Sequence, residues 1–138
     1  PGITSEEMVQ NLDFAQTFLE AAMIPAPNDM QGESLIPLMK GENKKWTRES
    51  VYYHYYEYPS VHMVKRHYGI VNKELKLVHF YYDVDEWELY DRKNDPNEMN
   101  NVYNYPEYKD IVEKLTQELK ELRIKYKDSE ELDKSFIY

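Results

Sequence analysis

The 138-residue sequence contains no cysteine. This absence excludes disulfides, thiolate metal ligands and a cysteine nucleophile within the chain. Basic residues are also in deficit, with 17 Lys and Arg against 26 Asp and Glu and a formal net charge of −9. Such a balance argues against a general nucleic-acid binder, which needs a basic face to release phosphate counterions. It equally disfavours an anionic membrane surface as a partner.

The sequence also lacks an apolar run that approaches the ~20 residues of a membrane span. The first four residues do not resemble a signal peptide, and we interpret this terminus as an internal cut in a longer protein. The length fits one domain or a large part of one. With 41% hydrophobic residues and 14 tyrosines, the chain can bury a core, and tyrosine suits half-buried sheet faces or sugar-binding surfaces.

Apolar periodicity predicts two helices, over residues 5–23 and from residue 106 to about residue 126. Thr4 and Glu7 form a plausible capping box for the first, in which the mid-helix Asp13 is a weak helix former. Pro106 and acidic residues suit the N-terminal turn of the second. The buried stripe of the second helix is predicted to be Tyr108, Ile111, Val112, Leu115, Leu119 and Leu122.

Four segments with a period of two predict strands at residues 51–57, 65–71, 75–82 and 87–91. Their short links favour antiparallel neighbours. The fold class is therefore α+β, a four-stranded antiparallel sheet with a long C-terminal helix packed on it, plus an N-terminal helix and loop. We divide the chain into residues 1–45, residues 46–127, and a charged tail at residues 128–138, in which we expect residues 128–134 to be mobile.

Two stretches resemble the sulfatase family. The first comprises residues 10–22 (QNLDFAQTFLEAA), Ile24-Pro25 and residues 31–38 (QGESLIPL), and it is similar to the end of the sulfatase catalytic domain. The second comprises residues 87–91 (WELYD), residues 95–98 (DPNE) and residues 100–102 (NNV), and it is similar to the signature of the sulfatase C-terminal subdomain. Related phosphatases and phosphodiesterases share the first pattern. The chain departs from the family pattern at Gln16, Met23 and Val102, where Pro, Gly and Leu are usual.

The resemblance implies a parent sulfuric ester hydrolase whose catalytic domain this segment partners. Sulfatases use a formylglycine, made from a Cys/Ser-x-Pro/Ala-x-Arg motif, and a calcium ion held by Asp and Asn side chains. The sequence contains no such motif. We therefore expect no catalytic residue, metal or cofactor in this chain, and no activity from it alone. The resemblance further implies a sulfated carbohydrate substrate and a periplasmic or secreted parent enzyme.

The segment HYYEYPSVHMVKRH, residues 54–67, is the candidate substrate-binding region. A sulfated sugar presents hydroxyls and anions, which His, Tyr, Lys and Arg side chains can bind. The predicted substrate-binding residues are His54, His62, Lys65, Arg66 and His67.

A structural role competes with this interpretation for the histidines. His54 and His79 lie within predicted strands, a position typical of packed, hydrogen-bonded histidines. His62 and His67 flank a loop, and for them both readings stay open. The spacing does not match a zinc site, and the acidic turn at residues 83–86 lacks the glycine and distal glutamate of a calcium-binding EF-hand loop.

Two further functions remain as alternatives. The chain could be a stand-alone carbohydrate-binding or structural module, or a fragment of a related phosphodiesterase or phosphonate hydrolase.

A separate prediction concerns the first helix: its apolar residues Met8, Leu12 and Phe18 should contribute to an exposed face that favours self-association.

Overall fold

The computed structural model describes Gly2 and residues 4–136. The chain divides into two compact units, Pro1–Val51 and Tyr52–Tyr138. No helix in the described part of the chain is both long enough and apolar enough to span a membrane. Four positions covered by the sequence-based predictions lie outside the described residues: Pro1, Ile3, Ile137 and Tyr138.

The second unit is built on a four-stranded sheet whose strands follow one another in chain order. The strands are β1 (Ser50–Tyr55), β2 (His67–Asn72), β3 (Leu75–Phe80) and β4 (Glu86–Asp91). The β2–β3 and β3–β4 pairs are antiparallel, as the short connections predict. Each strand boundary lies within two residues of the predicted one. The agreement is close because side chains alternate between the two faces of a sheet, so the period of two in the sequence stops where a strand ends.

The register places an apolar row across one face of the sheet. Ile70 is opposite Leu77, which in turn is opposite Leu89. All three side chains are fully buried. One step along the strands, Tyr68, His79 and Trp87 form a second row on the same face.

A long helix covers this face. A short 3₁₀ turn (Pro106–Tyr108) leads into α3 (Lys109–Lys125). Leu115 and Leu119 of α3 are buried against the row of apolar residues in the sheet. All six residues of the predicted stripe belong to this core or pack against it, so the predicted α+β fold class is confirmed.

The residues after β4 that carry the second resemblance have structural roles here. The Asn101 side chain accepts a hydrogen bond from the Leu89 amide at 3.0 Å and donates one to the Trp87 carbonyl at 3.2 Å. The Asp95 carboxylate accepts from the backbone amides of Met99 and Asn100, both at 2.7 Å. These bonds fix the turn that carries the chain from β4 to α3.

The segment after α3 forms a short helix, against the expectation of a mobile charged tail. Helix α4 spans Glu130–Ser135, and the Ser129 side chain caps it by accepting a hydrogen bond from the Leu132 amide. Asp128 and Asp133 are buried. Their carboxylates bind side chains of the sheet and of α3, which composition and local pattern do not reveal.

The first unit contains α1 (Asp13–Ala21), α2 (Ile36–Met39) and a 3₁₀ turn (Asn43–Lys45). The prediction of a helix over residues 5–23 was therefore too long at its N-terminal end. Helix α1 buries Asp13, Gln16 and Thr17, and it exposes Phe14 and Phe18. The exposure of Phe18 agrees with the expected exposed apolar face.

The buried Asp13 explains where α1 begins. Its carboxylate accepts backbone hydrogen bonds from Gln10 at 2.7 Å and Glu33 at 2.9 Å, and it forms a two-pronged ion pair with Arg48. Burial alone would raise the pKa of Asp13, but these bonds outweigh burial and hold the pKa below its ordinary value. Its partner Arg48 is only 8% exposed.

Candidate substrate-binding region

The connection from β1 to β2, residues 56–66, carries three of the five predicted substrate-binding residues, and we call it the β1–β2 loop. Its tip is exposed, with Val61 92% accessible and His62 beside it in solvent. The Tyr58–Pro59 peptide bond is cis. Lys65 folds back over this bend, with its Nζ 2.5 Å from the Tyr58 hydroxyl and 3.8 Å from the ring centre.

Arg66 lies at the base of the loop and is 2% exposed. Its guanidinium donates to the Asp83 carboxylate at 3.0 Å, to the backbone carbonyl of Tyr58, and to the backbone carbonyl of Phe136 at 3.1 Å. These partners come from the β1–β2 loop, from the turn after β3 and from the end of α4. The contacts direct the guanidinium inward rather than toward solvent.

His67 is the first residue of β2 and lies between aromatic rings. Its ring centre is 5.5 Å from Tyr55 and 5.1 Å from Phe80, and the Tyr53 ring meets it edge-on at 5.8 Å. Nδ1 donates to the Lys65 carbonyl at 2.8 Å. Because side chains alternate along a strand, His67 and Tyr68 point to opposite faces of the sheet. His54 packs beside Tyr68 and therefore lies on the face away from His67.

His54 lies in the middle of β1, and its side chain is 4% exposed. Its Nδ1 is 2.7 Å from Asp128 and its Nε2 is 2.7 Å from the Tyr81 hydroxyl. A carboxylate can only accept, so Nδ1 carries the proton and Nε2 accepts from Tyr81. Burial lowers the pKa of His54 although Asp128 acts to raise it, which keeps the imidazole neutral at pH 7.

Asp128 is held by the same network. Its carboxylate also accepts a hydrogen bond from the Tyr52 hydroxyl. Burial would raise the pKa of Asp128, but the hydrogen bonds from Tyr52 and His54 keep it below its ordinary value. Arg123 adds positive charge 3.7 Å from Asp128 and 2.8 Å from Asp133, and its guanidinium stacks 3.8 Å over the Tyr68 ring.

Within the described residues, His54, Asp128 and Asp133 are the side chains grouped closely enough to be tested as metal ligands, with donor atoms within 4.8 Å of one another. Both nitrogens of His54 are already hydrogen-bonded, and Arg123 pairs with both carboxylates and offsets part of their negative charge. Tight coordination at ~2.1 Å would require these groups to contract and to displace their present partners. The arrangement fits a buried ion-pair network better than a metal centre.

The five predicted residues do not converge on one point. Lys65 and Arg66 hold the base of the β1–β2 loop, and His62 lies at its exposed tip. His54 and His67 occupy opposite faces of the sheet. Sequence reasoning missed the roles of Asp128 and Arg123, because the partners lie far apart in the chain and no local pattern links them.

Two clefts of the second unit border α4. One of about 360 Å³ is lined by residues that include Tyr68, Trp87 and Arg123, and one of about 210 Å³ by residues that include Tyr81 and Asp133. None of the five predicted substrate-binding residues lines either cleft. The tip of the β1–β2 loop is exposed to solvent, so a second wall would be needed to make it part of a pocket.

Comparison with known proteins agrees with the resemblance in the sequence. The family profile described as N-sulphoglucosamine sulphohydrolase, C-terminal, matches residues 1–125. An N-acetylglucosamine-6-O-sulfatase of Bacteroides thetaiotaomicron is 48% identical over 139 aligned residues, which cover 99% of this chain and 25% of the relative. The chain thus spans about a quarter of that relative's length.

Solved structures share the fold. A protein in complex with its substrate, D-glucosamine-2-N,6-O-disulfate, matches 86% of this chain and 24% of its own, at 50% identity and a TM-score of 0.81. The phosphonate monoester hydrolase of Agrobacterium radiobacter matches 83% of this chain and 24% of its own, with a TM-score of 0.69, but at 21% identity it shows the common fold alone. On the strength of the profile and the 48% identical relative, the chain belongs to the family of N-sulphoglucosamine sulphohydrolase C-terminal domains, a sulfatase family.

Proposed function

We propose that this chain is the C-terminal part of a sulfatase that hydrolyses sulfate esters of glycans, with a sulfated glucosamine as the substrate unit. The support is the 48% identity to an N-acetylglucosamine-6-O-sulfatase over 99% of the chain. The same proposal places the formylglycine nucleophile in the rest of the enzyme, since this sequence has no cysteine and no Ser-x-Pro/Ala-x-Arg motif. By the family resemblance it places the calcium ion there as well. It also places the enzyme in the periplasm or outside the cell.

In this proposal the β1–β2 loop forms one wall of the substrate pocket, opposite the catalytic domain. The observation that carries it is the exposed tip, where His62 stands between the exposed apolar side chains of Val61 and Met63. An imidazole can hydrogen-bond a sugar hydroxyl, while flanking apolar groups cover the less polar face of a sugar ring. His62 is thus placed as a substrate-binding residue and not as a participant in bond breaking.

The test is made in a full-length enzyme that carries this C-terminal part. We expect His62→Ala to raise KM for glucosamine 6-sulfate about tenfold, the equivalent of one lost hydrogen bond, and to leave kcat for a small aryl sulfate unchanged. Lys73→Ala, at the exposed turn between β2 and β3, is the control and should change neither constant. An unchanged KM in His62→Ala would remove the loop from the pocket.

The chain alone should release no sulfate. It lacks the nucleophile that the proposal assigns to the rest of the enzyme, so incubation with glucosamine 6-sulfate should leave sulfate at background by ion chromatography. The complete enzyme at equal concentration is the positive control. Sulfate release by the purified chain would contradict the proposal, whereas tight binding of the sugar without release would favour a free-standing carbohydrate-binding module.

A further inference from the structure

Arg66 joins three segments that are far apart in the sequence. Its guanidinium binds the carbonyl of Tyr58, which precedes the cis bond in the β1–β2 loop, and the carbonyl of Phe136 at the end of α4. The third partner is the Asp83 carboxylate at 3.0 Å. Because the two carbonyls belong to backbone rather than to side chains, Arg66 fixes the course of both segments directly.

The segment that contains α4, residues 128–136, is itself anchored close to the start of the loop. Asp128 binds His54 in β1, and the Phe136 ring packs on Tyr56 with the ring centres 4.3 Å apart. Asp133 binds Arg123 of α3 at 2.8 Å. The segment is thus fixed to β1 and to α3, and its last described residue lies next to the first residue of the β1–β2 loop.

We propose that Arg66 is a positioning residue that ties the β1–β2 loop to the C-terminal segment, so that His62 meets the substrate from a fixed loop. This inference rests on the proposed function for the substrate role of His62. It assigns to residues 128–136 an indirect role in substrate binding, exerted through the contacts of Phe136 with Arg66 and Tyr56.

The same contacts argue against Arg66 as a ligand for the sulfate group. To reach a bound anion, the guanidinium would have to leave two carbonyls and a carboxylate, and each of these part-buried acceptors would lose its donor. An unpaired buried group costs more than its hydrogen bond contributes when formed. An arginine also suits this position better than a lysine, because its planar fork presents several donors in fixed directions.

Arg66→Gln, Arg66→Lys and Phe136→Ala test the tie in the full-length enzyme. Arg66→Gln removes the guanidinium, and Arg66→Lys keeps the charge but not the fork. Phe136→Ala leaves Arg66 intact and removes the ring that packs on Tyr56. The matched control is Arg92→Gln, because Arg92 also donates to a carbonyl, that of Asn72 at 3.0 Å, but at the β2–β3 turn.

Two measurements are made on each variant: amide hydrogen exchange in residues 57–64, and the kinetic constants for glucosamine 6-sulfate. We expect Arg66→Gln and Phe136→Ala to speed exchange in residues 57–64 about tenfold or more and to raise KM about tenfold, with kcat little changed. Arg66→Lys should show a smaller rise in KM, and Arg92→Gln should show none.

The outcomes separate the tie from the proposed function. Unchanged exchange in residues 57–64 in both Arg66→Gln and Phe136→Ala would overturn the tie. If Arg66→Gln and Phe136→Ala show faster exchange but an unchanged KM, and His62→Ala also leaves KM unchanged, the tie is upheld. The substrate role of the loop is then overturned. If Arg66→Gln does not fold, Phe136→Ala and Arg66→Lys decide the question by the same two measurements.

Discussion

His54 shows how a single buried side chain joins distant parts of this chain. It connects β1 to the segment after α3 through Asp128, 74 residues away, and to Tyr81 after β3. The imidazole is neutral in the folded protein because burial outweighs the attraction of Asp128. The unfolded chain has no such burial, so folding and protonation of His54 oppose each other.

This opposition predicts a pH-dependent stability. As pH falls below the ordinary His pKa of 6.5, the unfolded chain takes up a proton at His54 that the folded protein resists, so the free energy of unfolding decreases. Near and below pH 3.8 the depressed pKa of Asp128 adds a second loss, because the unfolded carboxyl protonates first. Urea titrations at pH 7.5 and 5.5 measure the first loss.

His54→Asn should remove the decrease in the free energy of unfolding between pH 7.5 and pH 5.5. It should also lower the free energy of unfolding at pH 7.5 by about 1–3 kcal/mol, because buried partners lose their bonds. His79→Asn is the control, since the partner of His79 Nε2 is the exposed Asp85. A His54→Asn protein that retains the full difference between pH 7.5 and pH 5.5 would refute this assignment.

At the scale of the elements, sequence periodicity predicts the strands and the long helix. It does not predict the features that depend on ion pairs between residues far apart in the chain. The strands and α3 were found because alternation and the heptad-like stripe mark their buried faces. The predicted α1 is too long because the helix begins only at the buried Asp13. The ion pair that Asp13 forms with Arg48, 35 residues away, cannot be recognised from the local sequence. Helix α4 was missed because its charged sequence is typical of solvated tails, whereas His54 and Arg123 bury Asp128 and Asp133.

The candidate site shows the same division. The run of His, Lys, Arg and Tyr marks the β1–β2 loop and the strand ends beside it, but spacing could not predict where each side chain would lie. Arg66 turned inward because two carbonyls and Asp83 surround it in space, while His62, three residues before Lys65, stayed in solvent. Such assignments require the three-dimensional neighbours of each side chain.

Helix α3 gives the element-level prediction. Leu119 is 1% exposed and packs in the core, so Leu119→Ala should lower the free energy of unfolding by about 2–5 kcal/mol through lost burial and the cavity that remains. Ile124, on the same helix, is 77% exposed. Ile124→Ala should change stability by less than about 0.5 kcal/mol. Equal effects in chemical denaturation would mean that α3 does not supply the core of this unit.

At the scale of the whole molecule, we expect two opposing features to control self-association. Leu12 and Phe18, predicted to contribute to an apolar face, are exposed, and the Phe18 ring stacks on Phe14 at 6.5 Å; Met8 is half-buried. Against this attraction stands a net charge of −9, which makes two copies repel each other. Salt screens the repulsion over about 10 Å at 0.1 M and leaves apolar attraction in place.

The chain alone should therefore self-associate more strongly as salt rises. Sedimentation velocity at 20 mM and 300 mM NaCl should show a concentration-dependent increase in mass at the higher salt. Phe18→Glu should abolish the increase, because a carboxylate replaces a ring that is 69% exposed on the apolar face. Met99→Glu adds the same charge at an exposed position of the other unit and should preserve the increase. If Met99→Glu suppressed association as well as Phe18→Glu does, net charge rather than the face of α1 would control it.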